Sequence, residues 1–226
     1  MNKTIYDKID KNLISMMPKE TFPGRIFTIT TKADADKAVA YLMEESLLGI
    51  DTETRPSFRK HVVNKVALLQ VSTHDTCFLF RLNHIDMPES LIQLLESQSV
   101  VKVGLSLKDD LQTLERRHRF TPGKYIELQE EVKQVGIKDC SLQKVYANLF
   151  GKMISKRQRL SNWEADILTD AQKAYASIDA WACIRIHEEI IRLKTSHDYE
   201  LIENDEAEQP SDNNIQQTIE YEQNIS

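Results

Sequence analysis

Five side chains in this sequence have the chemical types and the surroundings needed for metal-dependent chemistry. Four are carboxylates and one is a phenol, and they come from three separate stretches of the chain: Asp51, Glu53, Asp110, Tyr175 and Asp179. Each lies in an apolar context that is typical of a core position. A buried carboxylate is costly unless a positive charge compensates it, and no lysine or arginine recurs at a fixed spacing that could pair with all four. The sequence therefore predicts divalent cations as the compensating charge.

The first stretch places two carboxylates on one face of a predicted strand. Residues two apart in a strand point to the same side, so Asp51 and Glu53 are expected side by side. Like charges at that distance repel, and one carboxylate takes up a proton unless a cation lies between them. A strand end that faces solvent is the alternative, because D-x-E is common by chance.

The second stretch contains adjacent aspartates that helix geometry separates. Ser106 has the spacing of an N-cap, with Asp109 at the third helical position as in a capping box, so Asp109 has a structural explanation. At about 100° per residue, Asp110 lies beside the apolar face of this helix, whereas Asp109 points to solvent. Asp110 is the acid that needs a partner, and a half-exposed acid favoured by the helix dipole is the alternative.

The third stretch pairs a phenol with a carboxylate on one helix face. Tyr175 and Asp179 are four residues apart, so they are neighbours on that face, which continues through Ala182 and Ile186. A Tyr–Asp hydrogen bond in the core is the alternative for this pair alone. A purely structural explanation would require the alternatives for all three stretches to be true at once. The set of four carboxylates and a phenol instead indicates two-metal hydrolysis of a phosphodiester, in which Mg²⁺ or Mn²⁺ binds oxygen ligands.

The surrounding elements predict an α/β (α+β) domain, with a mixed sheet of five or six strands flanked by helices. Strands are predicted at residues 26–30, 47–54, 66–72, 77–82, 100–104 and 126–128. Helices are predicted at residues 3–16, 32–45, 88–96 and 107–117, and through most of the chain after residue 128. The second, third and fourth of these strands are expected to form an antiparallel meander.

Composition limits the class of protein and its organisation. The chain has 226 residues, of which 41% are apolar, and its net charge is −6. Seven acids and no lysine or arginine lie in residues 203–226, so the rest is near neutral and does not repel a polyanion.

We predict an N-terminal helical extension (1–24), a catalytic domain (25–200) and an acidic disordered tail (201–226). No run is long enough for a membrane span, no signal segment precedes the domain, and the three scattered cysteines suit a reducing compartment, so a cytoplasmic location is expected.

The three stretches resemble the motifs of the DEDD superfamily of 3′–5′ exonucleases, which has a ribonuclease H-like fold. The likeness is greatest to the tyrosine-bearing branch that includes ribonuclease D and the Werner-syndrome exonuclease domain. Residues 49–53, 102–111 and 175–180 match the three motifs, and residues 160–163 add to the likeness with the Werner type. The resemblance extends over roughly residues 25–194. It implies an enzyme, a metal-dependent 3′–5′ exonuclease that releases nucleoside 5′-monophosphates.

The resemblance also implies a role for each residue. Asp51 bridges two divalent cations, Glu53 and Asp179 complete the first metal site, and Asp110 holds the second metal. Tyr175 orients the water that attacks the terminal phosphodiester. The implied partners are single-stranded or recessed 3′ ends of DNA or RNA.

Basic and aromatic residues are candidates for holding the nucleic acid, because such binding needs charge for the backbone and flat side chains for the bases. Residues 151–159 carry four basic side chains and no acid, and we predict phosphate contacts from Lys156, Arg157 and Arg159. Phe58, which would stack on a terminal base, and the neighbouring Arg59 follow the first motif. A solvated loop and a core aromatic are the alternatives.

Several functions remain open at this point. Residues 161–163 favour DNA slightly over RNA, and ribonuclease D-like processing of RNA 3′ ends is the alternative. A nucleic-acid-binding module that has lost its chemistry is a further alternative, although all four carboxylates are present. A different two-metal phosphohydrolase is disfavoured by the Tyr-x-x-x-Asp element. The sequence does not fix an oligomeric state.

Overall fold

The computed structural model describes residues 2–57 and 64–204. The predicted nucleic-acid contacts Phe58 and Arg59 lie outside the described residues, as do residues 205–226 of the predicted disordered tail. Across the two described ranges, no helix combines the length and the apolar character that a membrane crossing needs.

A mixed sheet of six strands forms the centre of the fold, as the sequence predicts. In chain order the strands are β1 (Lys3–Tyr6), β2 (Arg25–Ile29), β3 (Leu47–Thr54), β4 (Val66–Ser72), β5 (Thr76–Arg81), β6 (Val101–Gly104), β7 (Tyr125–Glu127) and β8 (Tyr199–Ile202). The central sheet has the order β2-β5-β4-β3-β6-β7, and β1 pairs with β8 apart from it. The predicted meander is confirmed, because β4 is antiparallel to both β3 and β5. The outer strands pair in parallel: β2 with β5, β6 with β3, and β7 with β6.

Helices cover both faces of this sheet. They are α1 (Lys11–Met16), α2 (Lys32–Leu42), α3 (Leu82–Ile85), α4 (Glu89–Glu96), α5 (Leu107–Glu115), α6 (Leu128–Lys133), α7 (Leu142–Phe150) and α8 (Asp170–Ser196). Alternation along β5 divides the core, because Phe78 and Phe80 pack with the cluster of α2 and α4. Cys77 and Leu79, on the opposite face, pack with Tyr175 of α8. The sheet therefore lies between two helical layers, and α8 occupies the layer that carries Tyr175.

Helix α8 approaches the central strand β3 very closely at Gly49. A Cβ atom at this position would lie 2.0 Å from the backbone oxygen of Ala180, a separation that no side chain can occupy. Ala176 and Ala180 are fully buried, and their small side chains permit this approach. The contact places Asp179, the residue before Ala180, next to the strand that carries Asp51.

The N-terminal segment differs from its predicted helix over residues 3–16. Lys3–Tyr6 is strand β1, which pairs in parallel with β8, and only Lys11–Met16 is helical. Ile5 is fully buried, so pairing and burial against the C-terminal strand override local helical preference. Strand β8 was also missed, and the division into residues 1–24, 25–200 and 201–226 stays a prediction.

Candidate active site

Carboxylates from β3 and α8 converge at one place. One oxygen each from Asp51, Glu53 and Asp179 lie within 4.8 Å of one another. Glu53 and Asp179 are buried, and Asp51 is partly buried. The period of β3 turns Asp51 and Glu53 to the same face, and the close approach of α8 at Gly49 brings Asp179 to them.

Asp110 lies at the edge of this group of three. It is half-buried on the first turn of α5, and its carboxylate accepts a hydrogen bond from the hydroxyl of Thr52. Its charge raises the pKa of Asp51, so the two carboxylates interact across the site. Asp109 is exposed, as the helical period predicts. Sequence reasoning missed Thr52, which stands between the two acids of the first motif.

The start of α5 is fixed in a different way from the predicted capping box. The Ser106 side chain makes no cap hydrogen bond, and its backbone is left-handed with φ 67°. Glu127, at the end of β7, accepts hydrogen bonds from the backbone N–H groups of Ser106 (2.9 Å) and Leu107 (2.7 Å). A carboxylate distant in sequence therefore replaces the predicted serine cap and holds the helix that carries Asp110.

Tyr175 lies one helical turn before Asp179 and is buried with it. Its ring packs against the Trp163 ring at a centroid distance of 6.0 Å, and its hydroxyl interacts with the Asp179 carboxylate. Burial, together with the neighbouring carboxylates, raises the pKa of the Tyr175 phenol, so it stays protonated at neutral pH. At the start of α8, Gln172 completes a capping box with Thr169 and donates to the Ser161 hydroxyl at 3.0 Å.

Gln70 is a second residue that sequence reasoning missed. It pairs with Asp51 across β3 and β4, so their side chains point to the same face. The side chain is fully buried, and neither its amide nitrogen nor its amide oxygen has a hydrogen-bond partner among the described residues. The Gln70 amide therefore departs from the rule that buried polar groups are hydrogen-bonded.

Burial raises the pKa of every acid in the site, and repulsion from the other site carboxylates raises it further for Asp51 and Glu53. Burial raises the pKa of Glu53 to about 9, with further contributions from Asp179 and Asp110. It raises the pKa of Asp110 to about 7 against the opposing Thr52 hydrogen bond, and that of Asp179 to about 7 against the opposing Tyr175 interaction. For Asp51, burial and then the other three carboxylates raise the pKa well above its usual value. Near neutral pH the site cannot hold all its negative charges without a compensating cation.

The donor set fits a hard divalent cation. Oδ1 of Asp179 is buried and accepts no hydrogen bond from the part of the chain that the structure describes. Such an atom lacks the partner that buried polar groups normally have. Three carboxylate oxygens within 4.8 Å of one another offer ligands of the kind that hard divalent cations prefer.

Part of the predicted basic loop lies beside these carboxylates. The charge of Arg159 acts on Glu53 and lowers its pKa against the larger effect of burial, and the charges of Lys156 and Asp179 act on each other. Arg157 and Tyr175 line the same cavity of about 330 Å³. The structure therefore brings all three predicted cations to the margin of the site, and their contact with nucleic acid stays a prediction.

We expect the metal-free protein to become less stable as pH rises from about 5 to about 9. Asp110 and Asp179, with pKa values of about 7, and Glu53, with a pKa of about 9, still hold protons in the folded state after the unfolded chain has released them. Each such proton lowers the free energy of unfolding by about 1.4 kcal/mol per pH unit. Melting temperatures in EDTA should therefore fall by at least roughly 5 °C across this interval. Excess divalent cation should flatten the profile, and identical profiles with and without cation would contradict a metal site.

Comparison with known proteins gives a consistent group of relatives. A family profile described as 3′–5′ exonuclease matches residues 26–193. A 3′–5′ exonuclease of Arabidopsis thaliana is 33% identical over 181 residues, which cover 73% of this chain and 63% of that protein. The mouse bifunctional 3′–5′ exonuclease/ATP-dependent helicase WRN is 27% identical over 187 residues, which cover 78% of this chain and 13% of that protein. The chain thus spans less than two thirds of the length of either relative.

A solved structure gives the same result for the fold. Escherichia coli RNase D superposes with a TM-score of 0.67 at 19% sequence identity, over 73% of this chain and 44% of that chain. The likeness confirms the predicted ribonuclease H-like architecture.

Proposed function

This chain belongs to the 3′–5′ exonuclease family, and from that premise we propose that it removes nucleotides from the 3′ end of nucleic acid by two-metal-ion hydrolysis. The observation that carries the proposal is the convergence of Asp51, Glu53 and Asp179, whose oxygens lie within 4.8 Å of one another. The tyrosine-type assignment rests on Tyr175, which interacts with Asp179 from one turn earlier on α8.

The four carboxylates would hold two divalent cations, Mg²⁺ or Mn²⁺. Asp51 would contribute to both sites, Glu53 and Asp179 would complete the first, and Asp110 would belong to the second. This division is supported by the position of Asp110, which lies outside the group of three yet interacts with Asp51. Cations bound there would supply Lewis-acid stabilisation for hydrolysis of the phosphodiester.

Tyr175 orients the attacking water. Because its raised pKa keeps the phenol protonated, the hydroxyl acts as a hydrogen-bond partner of the nucleophile and not as a phenolate base. The Asp179 carboxylate and the Trp163 ring hold the phenol from two sides, so its orientation is set before substrate binds. The products are nucleoside 5′-monophosphates.

The substrates are single-stranded or recessed 3′ ends, with DNA slightly favoured over RNA because of residues 161–163. Ribonuclease D-like trimming of RNA is the second candidate, supported by the likeness to the fold of E. coli RNase D. Recognition of the sugar depends on contacts to the 2′-hydroxyl, which separates these two candidates. A catalytically silent binding module is the weaker alternative, because it would leave the buried carboxylates without a role.

The direct test follows matched 5′-labelled DNA and RNA strands, single-stranded and recessed, in Mg²⁺ or Mn²⁺. We expect stepwise shortening from the 3′ end, release of nucleoside 5′-monophosphates and complete inhibition by EDTA. Internal cleavage, or shortening that persists in EDTA, would contradict the proposal. Binding without any cleavage in either metal would favour the silent module.

A further inference from the structure

A groove lined by four basic side chains lies between α1, α7 and the loop that follows α7. Its volume is about 400 Å³, and Lys11, Lys144, Lys156 and Arg157 line it. Its other lining residues are uncharged, so no carboxylate of the described residues lines the groove. Four cations around one small space, without an acid among them, make a site for a polyanion.

Three of these four cations have no ion-pair partner in the part of the chain that the structure describes. Lys144 pairs with Asp139 at 2.6 Å, whereas Lys11, Lys156 and Arg157 form no ion pair with any residue in the described ranges 2–57 and 64–204. Burial first, and then the charges of Arg159, Lys11 and Lys144, lower the pKa of Lys156. The cations therefore act on one another, and an anionic ligand would relieve their repulsion.

The groove adjoins a cavity that Tyr175 of the candidate active site lines. Ser155 and Arg157 line both the groove and the cavity of about 330 Å³ that Tyr175 lines. Lys156 also interacts electrostatically with Asp179. A ligand bound by Lys156 therefore lies within electrostatic reach of Asp179 and can be part of the molecule that reacts there.

The N-terminal segment that supplies Lys11 is fixed to this loop. Met153 donates its backbone N–H to the oxygen of Pro18 at 2.9 Å and accepts from the N–H of Glu20 at 2.9 Å. The Glu20 carboxylate accepts a hydrogen bond from the hydroxyl of Tyr146 on α7 at 2.8 Å. Residues before 26 lie outside the match to the exonuclease family, and this docking places Lys11 beside the basic loop that follows α7.

We propose that α1 completes a phosphate track in which Lys11, with Lys144, Lys156 and Arg157, binds the sugar–phosphate backbone of the substrate strand on the 5′ side of the nucleotide being removed. The inference rests on the proposed exonuclease function and deepens it. The track makes binding depend on strand length, because a dinucleotide ends at the carboxylates and a longer strand extends into the groove.

The test compares Lys11→Gln with Lys32→Gln. Both lysines are exposed first residues of a helix, and Lys32 lies on α2, which packs in the core cluster on the other face of the sheet. Affinity for a labelled single strand of roughly ten nucleotides is measured by fluorescence anisotropy in EDTA over a range of salt concentrations. Hydrolysis of a dinucleotide and of the long strand is measured separately in Mn²⁺. DNA and RNA are run in parallel.

We expect Lys11→Gln to weaken binding of the long strand roughly fivefold and to reduce its salt slope by about 0.7, the value for one single-strand phosphate contact. Dinucleotide hydrolysis should stay at the wild-type rate, Lys11→Arg should restore binding, and Lys32→Gln should change neither. Unchanged affinity and salt slope in Lys11→Gln would overturn the track. A decrease in dinucleotide hydrolysis equal to the decrease in long-strand hydrolysis would also overturn it. Absence of hydrolysis in the wild type, with Lys11-dependent binding intact, would overturn the proposed function and not the track.

Discussion

Substitution of Asp179 by asparagine should abolish 3′-end trimming without unfolding the protein. Asp179 is 3% exposed and is one of the three carboxylates that converge within 4.8 Å. Asparagine keeps the shape of the side chain but removes the charge that holds a cation. Loss of Lewis-acid stabilisation is worth several kcal/mol, so we expect a rate decrease of roughly a thousandfold or more.

In the absence of metal, the Asp179→Asn substitution should not lower the stability of the protein, although it lowers the trimming rate. The Asp179→Asn variant removes one charge from a crowded buried site, so its melting temperature in EDTA should equal or exceed that of the wild type at pH 8 or above. Divalent cation should then raise the melting temperature of the wild type more than that of the variant. A variant that merely misfolds would melt lower in both conditions.

Asp109→Asn is the matched control for this experiment. Asp109 is exposed and adjacent to Asp110 on α5, so the same change of charge there should leave both the trimming rate and the metal-dependent stabilisation unchanged. Trimming at the wild-type rate by a folded Asp179→Asn variant would remove Asp179 from the catalytic site.

Local periodicity explains why the placement of several candidate site residues could be predicted from the sequence. The period of two in β3 places Asp51 beside Glu53, and the helical period in α5 separates half-buried Asp110 from exposed Asp109. Both arguments need only a few consecutive residues. The convergence of the three stretches could be expected for a different reason, because buried acids require a common compensating charge.

The features that the sequence did not indicate depend on contacts between distant residues. Glu127 caps α5 from about twenty positions away, and β1 becomes a strand only because β8 pairs with it. The hydroxyl of Thr52 gains significance only when Asp110 is placed beside it. The position of Lys11 in the groove likewise depends on the docking of residues 18–20 against Met153. Each of these contacts requires the assembled fold, so no local pattern carries it.

Substitution of Tyr175 by phenylalanine should slow hydrolysis by roughly a hundredfold to a thousandfold, within the range for loss of a positioned hydrogen-bonding group in proton transfer. The ring would still pack against Trp163, so the fold should persist. All four carboxylates also remain, so the cation should still raise the melting temperature. The decrease should therefore appear in kcat with little change in KM, because the hydroxyl acts on the attacking water and not on substrate binding.

Tyr146→Phe is the control that separates positioning of water from general loss of a buried hydroxyl. Tyr146 is fully buried, and its hydroxyl donates to Glu20 at 2.8 Å on the N-terminal segment. Its removal should lower stability, by about 1 kcal/mol for one lost hydrogen bond, and leave kcat for a dinucleotide unchanged. If Tyr175→Phe instead lowered stability and left kcat unchanged, its phenol would be a core hydrogen-bonding group like that of Tyr146. A loss confined to kcat, with metal binding retained, is the result expected where the hydroxyl contacts the reacting atoms.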